Sequence, residues 1–480
     1  MTDDATESIV LALDQGGSSS RAIAFDARGE IVASASVPVA ERREGDDRVE
    51  QDPEELVESL RAAAEECARA AGGARTFACA GLAAQRSSVV CWDRANGAAL
   101  SPVLSWQDRR AAAWLAPFAA HAESIHRETG LFLSPHYGAS KLRWCLDHLE
   151  PVRRARAEGR LAMGPLASFL AFRLLDGRPF VADPANASRT LLWSIRSRDF
   201  DARLLELFGI PRETLPRCVP TRGAIGALAI GGERIPFRVL TGDQSAAVFA
   251  HGPPREDTAY VNVGTGAFVQ RPCRRVPEDL PRLLASLAFD DGAATTFVVE
   301  GTINGAGSAV KKIADELGVE DVERRLESFL RDAAEPPLFL NGVSGLAAPF
   351  WVPDFVSSFV GEGEPPARIA AVVESIVFLA CAILEEMGRA LPRPARIEAS
   401  GGLARLDGLC ARLASLSGLP VDRAPESEAT SRGLAWLLGG AETAWPAASA
   451  MHRFEVAPDA SLAARSRRWR QEMERAVAAR

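Results

Sequence analysis

The sequence predicts an α/β protein built from two related domains, and a strand–turn–strand pattern that occurs twice predicts it. The first copy is an apolar run, Ile9–Leu13, closed by Asp14-Gln-Gly-Gly-Ser-Ser-Ser-Arg21 and resumed by Ala22–Phe25. The second is Thr258–Val263, closed by Gly264-Thr-Gly266 and resumed by Ala267–Gln270. Glycines let backbone N–H groups approach a phosphate closely, and Ser/Thr hydroxyls add donors. Two such hairpins imply two domains gripping one polyphosphate from both sides. A length of 480 residues is enough for two or three domains, each with its own core.

Taken in order, residues 8–40 read as three short strands, Ile9–Leu13, Ala22–Phe25 and Ile31–Val39. A helix opens at Asp52-Pro-Glu-Glu-Leu, with Asp52 as N-cap and Pro53 at the first helical position. Phe77–Ala84 and Val89–Trp92 read as strands, and Arg109 to His126 as one helix. Leu142–Leu149 is helical, and a second helix restarts after Pro151 and runs to Glu158. Phe237–Leu240 is a buried strand ending at Gly242-Asp243. Beyond the second hairpin, Ala306–Leu317 and Val322–Ala333 are helices, and Ile369–Leu391 is a long amphipathic helix stopped by Pro392. Ile397–Ala399 leads through Gly401-Gly402 into a helix at 406–416, followed by Ala429–Leu438 and a charged, solvated helix Ser461–Arg480. No segment is rich enough in Gly, Ser or Pro to be a flexible linker. The division is placed near 245–255, giving domains 1–248 and 249–480.

Composition excludes several classes. The formal charge of −8 offers no nucleic-acid surface. The acidic start Met1-Thr-Asp-Asp-Ala-Thr-Glu is no secretory signal, and the apolar run Ile376–Leu384 is too short to span a bilayer. The eight cysteines contain no C-x-x-C pair, so neither a zinc site nor a disulfide framework is supported, and a reduced cytoplasm is the expected location. The six histidines show no metal spacing. Lysine occurs only at Lys141, Lys311 and Lys312, none after a glycine, which rules out a Walker-type phosphate loop.

Four segments carry chemistry. Asp14, at the end of a buried strand beside the first glycine turn, can hold Mg²⁺ through water against nucleotide phosphates, or can simply cap its own turn. Asp243, in Leu240-Thr-Gly-Asp-Gln-Ser, follows a strand and starts a helix. Gly242 leaves room beside its carboxylate, which could accept the proton of an attacking hydroxyl or serve as a helix N-cap. Trp106-Gln-Asp-Arg-Arg110 offers a flat apolar wall for a C–H face, or a helix-start charge cluster. Gly401-Gly402 suits close approach of backbone to a ribose or phosphate.

Together these segments resemble the FGGY carbohydrate kinases, and within them the glycerol-kinase branch. The resemblance runs through Leu13–Arg21, Val49-Glu-Gln-Asp-Pro53, Gln85-Arg86, Trp106–Arg110 and Asn186-Ala-Ser-Arg-Thr190. It continues in Ile210–Pro216, Gly242-Asp-Gln244, Gly264–Phe268, Glu300-Gly301, Gly345-Leu-Ala-Ala-Pro-Phe-Trp351 and Gly401-Gly402. It implies the duplicated actin-like, ribonuclease-H-like ATPase fold, a mixed five-stranded sheet with flanking helices occurring twice, closing a cleft over substrate and ATP·Mg²⁺. On that resemblance Asp243 is the catalytic base, and Asp14, with Asp243, organises Mg²⁺. Gly16, Gly17, Ser18, Ser19 and Arg21 in the first hairpin, Gly264, Thr265 and Gly266 in the second, and Gly307, Gly401 and Gly402 face the nucleotide. Arg86, Ser87, Trp106, His136, Gln244 and Phe268 join Asp243 around the acceptor.

The implied activity is transfer of a phosphoryl group from ATP to a terminal hydroxyl of glycerol or a related polyol or sugar. The resemblance also implies a homodimer or tetramer, with neither nucleic acid nor membrane as partner. Departures bear on the acceptor: Ser87 stands where the branch usually has an acid, and His136 where it has a tyrosine that contacts glycerol. They make a larger polyol or ketose a competing acceptor. His136 is expected to titrate near neutral pH, so that acceptor affinity varies between about pH 6 and 7.5. Gly17 replaces a typical Thr, Leu406 a frequent Asn, and Val352 an acid. The loop Ile230–Arg234 is shorter than the branch's regulatory loop for a sugar bisphosphate, so that control is not expected. A non-catalytic sugar sensor and a heat-shock-type ATPase are the readings from other classes. The first is disfavoured by the presence of both Asp14 and Asp243, the second by the lack of a peptide-binding domain.

Overall fold

The computed structural model describes residues 9–479 apart from 46, 334, 425–427 and 440–450, so the acidic start and Arg480 lie outside the described residues. The chain forms two compact units. The first takes Met1–Pro253, Ser286–Phe297 and Ala429–Ala447, and the second Pro254–Ala285, Val298–Glu428 and Ala448–Arg480.

The first unit is organised by a six-stranded sheet in the order Arg222–Ile230, Glu233–Gly242, Phe77–Ala84, Ile9–Gln15, Ser19–Phe25, Ile31–Pro38. Its three central strands, Glu233–Gly242, Phe77–Ala84 and Ile9–Gln15, are parallel, and the outer pairings are antiparallel. Strands covered on both faces read as continuous apolar runs, and Leu11, Ala12 and Leu13 are accordingly buried. One face is covered by the helix Pro53–Ala70, whose Asp52 side chain accepts hydrogen bonds from the Glu54 and Glu55 N–H groups as an N-cap. Helix Ala429–Gly439 packs against Ile9–Gln15 and Phe77–Ala84. The edge hairpin turns through Gly231 and Gly232, both in the left-handed region at φ 56° and 84°, as a two-residue turn between paired strands requires. The short loop Ile230–Arg234 is therefore a tight strand reversal.

The second unit repeats this plan. A seven-stranded sheet runs Leu284–Asp290, Thr295–Ile303, Ala267–Cys273, Thr258–Val263, Arg396–Ser400, Val421–Arg423, His452–Phe454. Thr258–Val263, Arg396–Ser400 and Val421–Arg423 form the parallel centre, and the glycine hairpin and the last strand pair antiparallel beside it. Six strands thus match the first sheet position for position. Each sheet is larger than the expected five strands: an antiparallel strand is added beyond the parallel centre, Arg222–Ile230 in one and His452–Phe454 in the other, and the second sheet also carries Leu284–Asp290 at its far edge.

Three further expectations change. Arg109–His126 is not one helix: a 3₁₀ stretch, Ala113–His121, precedes a helix Ala122–Thr129. Pro117, which lacks an N–H, sits inside the 3₁₀ stretch. Helix Pro365–Ala390 is not amphipathic over most of its length, since every residue from Ile369 to Ile383 is buried. Among the described residues it is the one helix long and apolar enough to cross a membrane, and 89% of its most apolar window lies inside the protein. Its interior Glu374 is tied to Arg412 and Arg465. The last helix, Ala460–Ala478, is not merely solvated: Leu462, Trp469 and Met473 are buried, and Trp469 Nε1 donates to the Phe339 carbonyl at 3.0 Å.

Candidate active site

In open α/β sheets, ligands gather beyond the carboxyl ends of the strands. In the first unit, parallel register aligns Asp14 with Ala83, Ala83 with Thr241, and Ala84 with Gly242. The three strand ends therefore deliver Asp14, Gln85-Arg86 and Gly242-Asp243 to one edge. Asp243 opens the short helix Asp243–Ala247, and its Oδ1 accepts from the Gln244 N–H at 2.7 Å. A Cβ on Gly242 would lie 2.5 Å from Arg86 Cγ and 2.7 Å from Cδ, so glycine is what allows the Arg86 stem to lie there. Arg86 Nε then stands 3.9 Å from Asp243 Oδ1, with Arg86 almost fully buried and Asp243 partly exposed. Gln244 Oε1 is buried and has no hydrogen-bond partner among the described residues. Such an edge can present a carboxylate and a cation to a hydroxyl.

Asp14 is 7% exposed, and Arg21 Nη1 lies 3.9 Å from its Oδ2. The turn beyond it is closed by Gly16 N–H donating to the Ser19 carbonyl at 3.0 Å, and Gln51 Nε2 holds the Gly17 carbonyl at 2.9 Å. Ser18 is exposed and Ser19 half-buried, while a side chain on Gly17 would meet nothing within 4 Å. Gln51 also continues a chain that the sequence reading missed. Gln85 Nε2 donates to Gln51 Oε1 at 2.6 Å, Ser88 Oγ to Gln85 Oε1 at 3.1 Å, and the Trp106 N–H to Ser88 Oγ at 3.0 Å. This chain fixes the half-buried Trp106 relative to the first glycine turn. The charges after Trp106 form a buried latch instead of an open cluster: Asp108 accepts from the Val49 N–H and is bracketed by Arg110, which also reaches Glu50.

Ser87 is buried with φ at 67°, in the left-handed region that serine seldom occupies. His136 is half-buried, its Nδ1 paired with Ser134 Oγ at 3.0 Å. Desolvation, followed by the nearby cations Lys141, Arg109 and Arg189, pushes the His136 imidazole down to about 3. This environment disfavours the charged ring and so runs against the titration expected between pH 6 and 7.5. Lys141, read from sequence only as a lysine outside any phosphate loop, is fully buried beneath these segments, and burial pushes its ammonium down to about 7. Arg189, from the Asn186–Thr190 motif, lies over the Tyr137 ring at 5.1 Å and donates to Ser286 Oγ at 2.8 Å.

The second unit gathers the remaining glycines. The Gly264 N–H donates to the Gly266 carbonyl at 2.9 Å and closes the hairpin turn, leaving Thr265 exposed. Helix Gly307–Glu316 starts against this turn, with the Gly307 N–H on the Gly264 carbonyl at 2.9 Å and the Ser308 N–H on that of Thr265 at 3.1 Å. Gly401 has φ 91°, and a Cβ there would be 2.6 Å from the Val263 carbonyl oxygen; Gly402 faces open space. Strand Arg396–Ser400 runs parallel to Thr258–Val263, so both glycine turns emerge at one sheet edge. Such an edge can hold phosphate and ribose by backbone contact. Phe268 lies on the same hairpin, half-buried and paired with Asn262.

Comparison with known proteins identifies the family. Residues 9–250 match the N-terminal domain of the FGGY family of carbohydrate kinases, and residues 259–441 match its C-terminal domain. The chain belongs to the FGGY family of carbohydrate kinases. It is 35% identical to the glycerol kinase of Dechloromonas aromatica (strain RCB) over 458 residues, 92% of this chain and 90% of that one. It is also 35% identical to the glycerol kinase of Methylobacterium nodulans, over 90% of this chain and 89% of that one. Among solved structures, Plasmodium falciparum glycerol kinase with ADP superposes with a TM-score of 0.86 at 22% identity, covering 98% of both chains. A ligand-bound xylulose kinase from Lactobacillus acidophilus gives 0.83 at 19% identity, covering 98% of this chain and 97% of the other. As an FGGY kinase the chain has the two-domain sugar-kinase fold and is an ATP-dependent phosphotransferase acting on an alcohol group of a polyol or sugar.

Proposed function

We propose that this FGGY kinase phosphorylates a terminal hydroxyl of glycerol or a related small polyol, with Asp243 as general base. The observation that carries the assignment is the shared edge in the first unit, where Asp243, the Arg86 stem over Gly242, and Asp14 end three parallel strands. The hydroxyl oxygen attacks the γ-phosphorus in line, the bond to the β-phosphate oxygen breaks as ADP leaves, and Asp243 receives the hydroxyl proton. Arg86 Nε, 3.9 Å from Asp243 Oδ1, orients that carboxylate. Asp14 suits a hydrated Mg²⁺ that arrives with the nucleotide: a single, nearly buried carboxylate beside a glycine turn can hold such an ion through its waters. Among the described residues no group of three His, Cys, Asp or Glu forms a protein cage for a metal. When bound, Mg²⁺ would neutralise phosphate charge. The first glycine turn (Gly16 to Ser19, with Arg21) and the second (Gly264 to Gly266, with Gly307, Gly401 and Gly402) contact the nucleotide. Ser87, Trp106, His136, Gln244 and Phe268 contact the acceptor. The resemblance supports a cytoplasmic homodimer or tetramer.

A second reading, a larger polyol or ketose as acceptor, is favoured by one feature. By the resemblance, Ser87 and His136 stand where the glycerol-kinase branch usually has an acid and a tyrosine, which would change the hydrogen-bonding partners offered to glycerol. A coupled ADP-release assay across glycerol, tetritols and pentuloses separates the two. Turnover is expected with at least one of them, and no turnover with any would overturn the assignment.

The nucleotide assignment has its own test. Gly401→Ala would force a Cβ to within 2.6 Å of a backbone oxygen at φ 91°, and Gly266→Ala to within 3.0 Å of the Ile303 carbonyl. Overpacking of this kind costs about 1–3 kcal/mol. Calorimetric titration is expected to show ATP affinity falling roughly tenfold or more in both variants. Unchanged affinity in folded variants would show that these turns do not bind the nucleotide.

A further inference from the structure

We propose that Lys141 is the positioning residue of the acceptor site, its ammonium clamping the carbonyls of three separate segments that carry Ser87, Trp106 and His136. The inference rests on the acceptor assignment above and extends it to a residue outside every motif that made that assignment.

The geometry is specific. Lys141 stands in the first turn of helix Gly138–His148 and is fully buried. Its Nζ donates to the Ser87 carbonyl at 3.0 Å, the Ser105 carbonyl at 2.7 Å and the His136 carbonyl at 2.8 Å. An ammonium has three N–H donors and no acceptor, so each donor has one carbonyl. The three acceptors come from the strand end after Gln85-Arg86, from the residue before Trp106, and from His136 itself. They share no secondary-structure element, and the Lys141 Nζ contacts all three at one point.

Ser87 makes the clamp matter to function. Its φ of 67° is a strained conformation for a side-chain-bearing residue. Strain of this sort persists only where the surroundings over-determine it, and it concentrates at ligand sites. The Lys141 contact falls on the carbonyl of this strained residue, next to Arg86. A buried cation is an expensive way to fill volume, and an apolar side chain of the same length would fill it at lower desolvation cost. What the apolar side chain cannot do is hold three carbonyls in register.

The test uses Lys141→Met and Lys141→Arg in the full chain, with acceptor and ATP varied separately in steady-state kinetics. With Lys141→Met, the KM for acceptor is expected to rise about tenfold to a hundredfold, the loss typical of a misplaced binding group, while the KM for ATP stays within about twofold. Ser87→Gly relieves the left-handed strain, so Lys141→Met should have a smaller effect in that background, a non-additivity read by a double-mutant cycle. Should Lys141→Met fail to fold, Lys141→Arg decides: it keeps the cation but not the three-carbonyl geometry, and the same split is expected. Parallel rises in both KM values, an acceptor KM within twofold of wild type, or loss of the fold in both variants would each overturn the proposal. A wild-type chain that phosphorylates no alcohol would instead overturn the acceptor assignment itself, an outcome visible before any variant is made.

Discussion

Asp243→Asn is expected to lower kcat by about 10²–10⁴-fold, the usual worth of a general base, while ATP affinity stays near wild type. The substitution is nearly isosteric and removes the charge. The amide oxygen can still accept from the Gln244 N–H, which Asp243 Oδ1 holds at 2.7 Å, so the start of the helix is preserved. What disappears is an oxygen able to take the hydroxyl proton, together with the anion 3.9 Å from the nearly buried Arg86 guanidinium. The expected signature is a fall in kcat with little movement in either KM, because the lost interaction belongs to the transition state. Turnover within about tenfold of wild type would remove Asp243 from the base role.

What could be read in the sequence, and what could not, follows from the range of the interactions involved. The two glycine hairpins were legible because turn chemistry is local: a strand, a Gly-rich reversal and a second strand specify themselves within a dozen or so residues. Asp52 and Pro53 announced their helix for the same reason, as did the strand ending at Gly242-Asp243. Lys141 was not legible as a site residue, because its partners are main-chain carbonyls at Ser87, Ser105 and His136, and no side-chain pattern encodes a carbonyl. The Gln51–Gln85–Ser88 chain was hidden likewise, since glutamine pairing across a fold leaves no periodic trace. His136 was misjudged because a pKa depends on surroundings: burial lowers it first, and the cations that add to this come from three different segments.

Two helices were misread for a different reason. The sequence reading made Ile369–Leu391 two-faced, yet every residue from Ile369 to Ile383 is buried, Glu374 among them and satisfied by Arg412 and Arg465. The last helix did carry a signal, since Leu462, Trp469 and Met473 recur at helical spacing among its charges, and that stripe is the face that docks.

Gly433→Ala is expected to destabilise the first unit and to impair catalysis together. A Cβ at Gly433 would lie 1.9 Å from the Ala246 carbonyl oxygen and 3.2 Å from the Ala250 nitrogen, both backbone atoms that no rotamer change can move. Helix Ala429–Gly439 and the segment following Asp243 therefore touch main chain to main chain. Around that contact Arg432 Nε donates to the Ala250 carbonyl at 2.9 Å, and Trp436 stacks on Phe249 at 5.4 Å. Thr430 Oγ1 reaches the Asp243 carbonyl at 3.4 Å. Separating the two segments enough to admit a methyl group costs about 1–3 kcal/mol or more, and shifts the helix that begins at Asp243. Tm should fall by about 2–4 °C for each kcal/mol lost, with kcat falling as well. Gly388→Ala is the control. That glycine is exposed in helix Pro365–Ala390, and a Cβ there meets nothing within 4 Å. The same chemical change should then be neutral or stabilising by up to about 1 kcal/mol, since glycine inside a helix is costlier than alanine. If both variants melt and turn over like wild type, the close packing of Ala429–Gly439 against the Asp243 segment does not support the base.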